Sequence, residues 1–184
     1  MVVFAKSFEH TNNKVRSAGA SAFSGYIISV DKKAVSKLEG LIIPFYQNVY
    51  YLLMNDNGNT DGLDALISVI EIEPKVFKKT FNELNELVQN IIKAKNIELG
   101  VKRMGVELLI TFAERYAVCY RQNKEKLVGL IEMIFFYMIE IDEEITDEWK
   151  KPAEGYSEDF EEGDDYETTN FGMTSVDRLI ACVG

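Results

Sequence analysis

Residues 62–71 read Gly-Leu-Asp-Ala-Leu-Ile-Ser-Val-Ile-Glu, and residues 105–114 read Gly-Val-Glu-Leu-Leu-Ile-Thr-Phe-Ala-Glu. The two segments lie 43 positions apart and match in residue type throughout: glycine, apolar, acid, two apolars, Ile, a small hydroxyl, two apolars, Glu. Another 43 positions earlier, Gly19-Ala20-Ser21-Ala22-Phe23 keeps the glycine and the apolar rows but not the acids. A fourth copy, Val176-Asp177-Arg178-Leu179-Ile180-Ala181, follows Val106 by 70 positions, one period plus 27. A period near 43 written in helical text means stacked helix pairs, since one pair cannot bury its apolar face alone. Such solenoids present extended binding surfaces.

Apolar residues recur at intervals of three and four, only three prolines interrupt the chain, and no strand-like alternation persists. The fold class is therefore all-α, an α-solenoid of antiparallel helix pairs, about three and a half of them. The periodicity predicts helices near 2–9, 13–29, 38–54, 60–73, 75–94, 99–117, 125–141 and 170–183. Asp56-Asn57-Gly58-Asn59 is a turn, with Thr60 as the expected N-cap of the next helix. Pro44 falls inside or near the start of its helix, and marks a first turn or a kink. Helices rich in aromatics (Phe45, Tyr46, Tyr50 and Tyr51; Phe77 and Phe81; Phe135, Phe136 and Tyr137) alternate with helices carrying the repeated motif. The aromatic stripes at 45–51 and 135–137 read as core. The organisation expected is one array over 1–184: a partial repeat at 1–29, repeats at 38–73 and 75–117, and a repeat at 125–183 with an acidic insert at 140–168. Both ends fall in helical text without a polar capping repeat, so the chain is expected to be a piece of a longer array.

The charge is concentrated. Net charge is −10. Fourteen Asp or Glu against Lys150 and Lys151 give the segment 140–167 a charge of −12, which leaves +2 on the rest. This balance argues against a nucleic-acid partner. The apolar runs 42–54 and 128–141 are shorter than the ~20 residues a membrane span needs and are broken by polar residues. Cys119 and Cys182 are too few and too far apart for a disulfide framework and read as reduced thiols.

Two groups of acids are candidate partner-binding residues. Asp64 and Glu71 are seven apart and share a helix face, with Ser68 between them; Glu107, Thr111 and Glu114 repeat the arrangement. Stacking would set these stripes side by side, about 8–10 Å apart, as an acidic ladder extended by Asp177. The second group is the insert. Asp147, Glu148 and Trp149, then Glu161, Glu162, Asp164 and Asp165, interleave acids with aromatics in a stretch read as a loop for docking a basic partner. Trp149 is the only Trp and would anchor what charge alone does not hold. No catalytic constellation is present: His10 is the lone histidine, no EF-hand spacing is met, and no phosphate-binding glycine loop appears. The chain reads as a non-enzyme without a cofactor or metal.

Three stretches together resemble the importin-β (karyopherin-β) family, most closely its importin beta-3 branch. They are Leu66-Ile-Ser-Val-Ile-Glu-Ile-Glu-Pro-Lys-Val-Phe-Lys78, the segment Gly105–Glu114, and the acidic run with Glu148-Trp149 followed by Ser175-Val-Asp-Arg-Leu-Ile-Ala181. The likeness is clearest over 62–184. It implies central HEAT repeats of a nuclear import receptor. It also implies basic cargo with nuclear localisation signals on the concave face, the Ran GTPase in its GTP form, nucleoporins as further partners, and shuttling between cytoplasm and nucleus. The concave face of the family is lined by second helices, which here carry Asp64, Glu71, Glu107, Glu114 and Asp177. Two features depart from the family pattern: Lys150–Ser157 splits the acidic run, and residue 178 is Arg. The readings set against import are a HEAT-type scaffold of an enzyme complex and an acidic chaperone for histones or ribosomal proteins.

Overall fold

The computed structural model describes residues 2–56, 58–139 and 164–184. All regular structure among them is helical. The elements are α1 (Val2–Phe8), α2 (Asn13–Ser29), α3 (Lys32–Val35), α4 (Ile42–Asn55), α5 (Asp61–Ile72), α6 (Phe81–Lys93), α7 (Leu99–Tyr116), α8 (Val118–Gln122), α9 (Lys124–Ile139) and α10 (Asp164–Val183). Two 3₁₀ segments, Ser36–Leu41 and Pro74–Thr80, precede α4 and α6.

The helices form two layers. α1, α4, α6 and α9 are the first helices of successive pairs; α2, α5, α7 and α10 are the second. Each second helix packs on its own first helix and on the second helix before it: α2 on α5, α5 on α7, α7 on α10. The α-solenoid reading holds, and the repeated motif occupies the second layer throughout. Of the stripe that helical spacing predicts to be buried on α5 (Leu63, Leu66, Ile67 and Ile70), Leu63, Leu66 and Ile70 are fully buried and Ile67 is only partly buried at its edge.

The repeat glycines mark where each pair crosses. A Cβ on Gly62 would meet the Cα of Val49 at 3.3 Å, and one on Gly105 would meet Val88 Cγ1 at 3.4 Å. One on Gly19 would sit 2.6 Å from the Cβ of Ser7. Each contact lies on the first helix of the same pair, so the glycine lets two backbones approach. The fourth position in this register, Ser175, is also small and is 1% exposed. Around the first crossing, Phe4, Phe8, Phe23 and Phe45 interlock edge-on and stacked, with ring centroids 5.2–5.7 Å apart, an arrangement that adds to area burial.

Polar side chains tie the layers where chain direction reverses. The Arg16 guanidinium donates to the carbonyls of Phe8 and His10 and to Asn48 Oδ1, and lies 3.7 Å from the centroid of the Tyr51 ring. Buried Asn48 returns a bond from Nδ2 to the Arg16 carbonyl. In the next pairs Tyr46 Oη lies 3.0 Å from Thr80 Oγ1, and Tyr120 Oη donates to buried Asn85 at 3.2 Å. Burial pushes both phenols well above their ordinary pKa.

Several local expectations shift. α4 starts at Ile42, not 38, so Pro44 stands in the first turn where its missing N–H costs no helical bond. Residues 74–80 are 3₁₀, opened by Pro74, before α6 begins at Phe81. Thr60 takes the N-cap position of α5 without a side-chain bond; the Asn59 carboxamide oxygen accepts from the Asp61 N–H instead. Gly58 has φ +71°, the left-handed turn its sequence suggests. Phe135 and Phe136 are exposed, not core. Leu130 and Ile134 fill the buried stripe of α9, and the residues just after Ile134 rotate away from it. α10 begins at Asp164, so the last part of the expected insert is helical; acids suit a helix N-terminus.

Candidate partner-binding face

The second layer brings the ladder residues onto neighbouring helices. Asp64 and Glu71 lie on α5 and are exposed; Glu107 and Glu114 lie on α7; Asp177 lies on α10 and is exposed. Asp61, one turn before Asp64, accepts a hydrogen bond from Ser17 Oγ of α2. Ser24 Oγ donates to the Ala65 carbonyl, so α2 and α5 are also tied below the face. Asp164 and Asp165 open α10. Asp147, Glu148, Trp149, Glu161 and Glu162 lie outside the described residues.

The two acid pairs differ in one respect that the sequence register does not show. Arg178 of α10 reaches back to α7 and closes on both glutamates. Its Nε and Nη2 lie 2.7 and 2.9 Å from the Glu114 oxygens. Its Nη1 and Nη2 each lie 2.8 Å from an oxygen of Glu107. The guanidinium is thus bidentate to two carboxylates at once, the geometry in which its planar fork is strongest. The clasp is about one-third open to solvent: side-chain exposure is 32% for Arg178, 35% for Glu107 and 34% for Glu114. The hydrogen bond from Arg178 holds the Glu114 carboxyl below the usual range against the opposing effect of its burial. The same bonds raise the Arg178 pKa further.

On α5 the pair is open. Ser68 Oγ is turned onto the Asp64 carbonyl, and neither Asp64 nor Glu71 is paired with a Lys or Arg among the described residues. At the far end of the same layer, Arg121 caps α10: its Nη2 lies 2.7 Å from the Cys182 carbonyl and its Nε 3.4 Å from that of Val183. A cation at these carbonyls complements the helix dipole. Register reasoning placed the acids but not their partner: Arg178 stood out in the sequence only as a departure from the family pattern, and Arg121 was missed. Arg121 stands just beyond an expected helix end, and that position was its only signal.

The remaining surface holds little chemistry. An open groove of about 410 Å³ is lined by Asn82, Glu86, Asn123, Lys124, Glu125 and Lys126. No group of three His, Cys, Asp or Glu among the described residues could hold a metal ion. No described helix is long and apolar enough to cross a membrane. Cys119 is buried and Cys182 half-buried; both are free, and burial pushes both thiols up.

Comparison with known proteins covers the chain almost end to end. Residues 1–87 match a family model described as IPO5-like, TPR repeats, and residues 94–184 match the importin repeat model. Importin subunit beta-3 of Saccharomyces cerevisiae is 28% identical over 153 residues, which is 80% of this chain and 14% of that protein. The fold superimposes on Kap121p bound to RanGTP with a TM-score of 0.81 at 23% identity, over 100% of this chain and 18% of that one. It superimposes on Kap121p bound to the extreme C-terminus of the protein phosphatase Cdc14p with a TM-score of 0.76 at 25% identity, over 98% and 18%. The chain therefore spans less than a fifth of the length of these relatives.

Proposed function

Because the chain belongs to the importin-β family, we propose that its helix pairs serve nuclear import, with the second-helix layer as a face for Lys/Arg-rich cargo and for Ran in its GTP form. The observation that carries this reading is the Arg178 clasp. A guanidinium seated across two carboxylates of this layer supports the reading that the layer takes such groups. The open acids Asp61, Asp64, Glu71 and Asp177 extend the same potential along it. A stripe of one sign raises the encounter rate of oppositely charged partners by ~10–10³ at low salt.

The acids of 140–167, with Trp149 among them, add a second attractive element. They contribute to partner binding or to cargo release when Ran binds, and nucleoporins are a further partner class. The role implies shuttling between cytoplasm and nucleus and no catalytic turnover.

The test is binding of the 184-residue chain to GTP- and GDP-loaded Ran and to a Lys/Arg-rich peptide, at low and physiological salt. The expected result is preference for the GTP form and peptide affinity that falls with salt. Equal capture of both nucleotide forms would remove the Ran assignment. A chain lacking residues 142–167 that binds both partners as well as the intact one would remove the role of the acidic segment.

A further inference from the structure

The edge of the array where one pair passes to the next has the opposite sign from the rest of the chain. Residues 31–41 and 73–80 hold six Lys against Asp31, Glu39 and Glu73. Most of this stretch is 3₁₀ helix, Ser36–Leu41 before α4 and Pro74–Thr80 before α6. With three residues per turn, positions i and i+3 stand in one column, and on the second segment the columns sort by chemistry. Phe77 is buried between half-buried Pro74 and Thr80; Lys75 and Lys78 are exposed; half-buried Val76 stands with exposed Lys79. On the first segment Leu38 is buried, and Ser36 and Glu39 share an exposed column. A groove of about 220 Å³ lies between that column and the two outer columns of the second segment, with Val35 and Val76 as its apolar lining. Lys79 Nζ lies 2.7 Å from Glu39 Oε2 and joins the two sides. Lys75 and Lys78 have no ion pair among the described residues, nor do exposed Lys33 and Lys37.

We infer that this groove docks an acidic peptide segment of a partner, with Asp or Glu side chains on Lys75 and Lys78 and one apolar side chain against Val35 and Val76. Charge complementarity selects the occupant. Of the three acids nearby, Asp31 is turned onto the Ala34 N–H and Glu39 onto Lys79, so only half-buried Glu73 opposes the free ammonium groups. The volume selects its form. It is below the ~300–1,000 Å³ that enclose a small ligand, and it suits a side chain or two of an extended segment. Lysine ammonium groups are point charges on flexible stems, which take carboxylates without a fixed orientation, while the stems themselves cover apolar surface. The net charge of −10 does not forbid such a partner. At physiological salt, exposed charges more than ~8 Å away are largely screened, so the lysines at the groove decide. The occupant is opposite in sign to the one proposed for the second-helix layer, and the inference does not rest on that proposal.

The test uses fluorescence anisotropy with an Asp/Glu-rich peptide carrying a central Leu and a matched peptide with Ser for Leu. Each is titrated into the intact chain and into Lys75→Gln/Lys78→Gln. The groove predicts salt-sensitive binding of the Leu peptide to the intact chain, weakened about fivefold by the double substitution and about as much by Leu→Ser. Binding of a Lys/Arg-rich peptide should be the same in both proteins, which keeps this outcome separate from that of the second-helix layer. The inference is overturned if the Leu peptide does not bind the intact chain, if the double substitution leaves its affinity unchanged, or if the Ser peptide binds equally well. A single-stranded oligonucleotide of equal charge that binds more tightly than the Leu peptide would make the edge a nucleic-acid surface instead. Binding seen only after removal of residues 142–167 would give the groove to the chain's own acids and not to a partner. Both lysines are exposed, so the variant keeps the packing of Leu38 and Phe77.

Discussion

Cutting the Arg178 clasp should cost about 1–1.5 kcal/mol, and the cost should be shared between Arg178 and Glu114 as a coupling. Fully exposed ion pairs measure ~0.2–1 kcal/mol, because water screens them and two long side chains must be held still. Hydrogen bonds to charged groups reach ~1.5–3 kcal/mol when water is excluded. With each side chain about one-third exposed and the geometry bidentate, the value belongs between these limits. The measurement is a double-mutant cycle in urea, with Arg178→Met to keep the stem and Glu114→Gln to keep the shape.

Two further readouts separate an ion pair from mere packing. Each repeat touches only its neighbours, so Arg178→Met should speed amide exchange on α7 and α10 and leave α2 unchanged. The pH dependence has a definite sign. Arg178 depresses the Glu114 carboxyl in the folded state. Its contribution is therefore complete above the unfolded carboxylate value of ~4.3 and is lost as pH falls through the lower folded value. The coupling should be the same at pH 7 and pH 5, decline below ~4, and shrink with added salt at every pH. A coupling under ~0.3 kcal/mol, or one that survives full protonation of the carboxylates, would refute the electrostatic account.

Three other outcomes follow from the local geometry. Gly105→Ala meets Val88 only at ordinary contact distance, so the helix-propensity gain of ~0.5–1 kcal/mol should raise the melting temperature; Gly62→Ala presses on the Val49 backbone and should gain nothing, and Gly19→Ala meets Ser7 too closely and should lose ~1–3 kcal/mol. Tyr120→Phe removes the donor to buried Asn85 Oδ1 and should cost ~1–2 kcal/mol in chemical unfolding, although the phenyl ring still fills the site. Arg121→Ala uncaps the carbonyls at the end of α10 and should lower stability by ~0.5–1 kcal/mol, with the loss smaller at high salt.

What could be read from the chain was whatever depends on local period. The spacing of Leu63, Leu66 and Ile70 sets a buried stripe in any helix that carries it, and a period near 43 repeated with a glycine at one register leaves few folds besides stacked pairs. Details that depend on a distant neighbour were not legible in the same way. Whether Thr60 or Asn59 caps α5 turns on the Thr60 backbone, which is helical (φ −90°, ψ −7°) and not the extended form a capping side chain needs. Whether Phe135 and Phe136 are core turns on which side of α9 meets the rest of the fold.

The acids show the difference most sharply. By spacing and residue type, Asp64–Glu71 and Glu107–Glu114 are equivalent. In three dimensions one pair is closed by an arginine 64 residues beyond Glu114 and the other is open. Periodicity assigns a residue to a face, since 3.6 residues make a turn whatever lies opposite. It does not assign its charge partner, because that depends on what the next repeat places across the gap, which for Glu107 and Glu114 is Arg178. A charge pattern built from repeats is for that reason not uniform in three dimensions: equal spacing in the chain leaves one acid pair clasped and the other exposed.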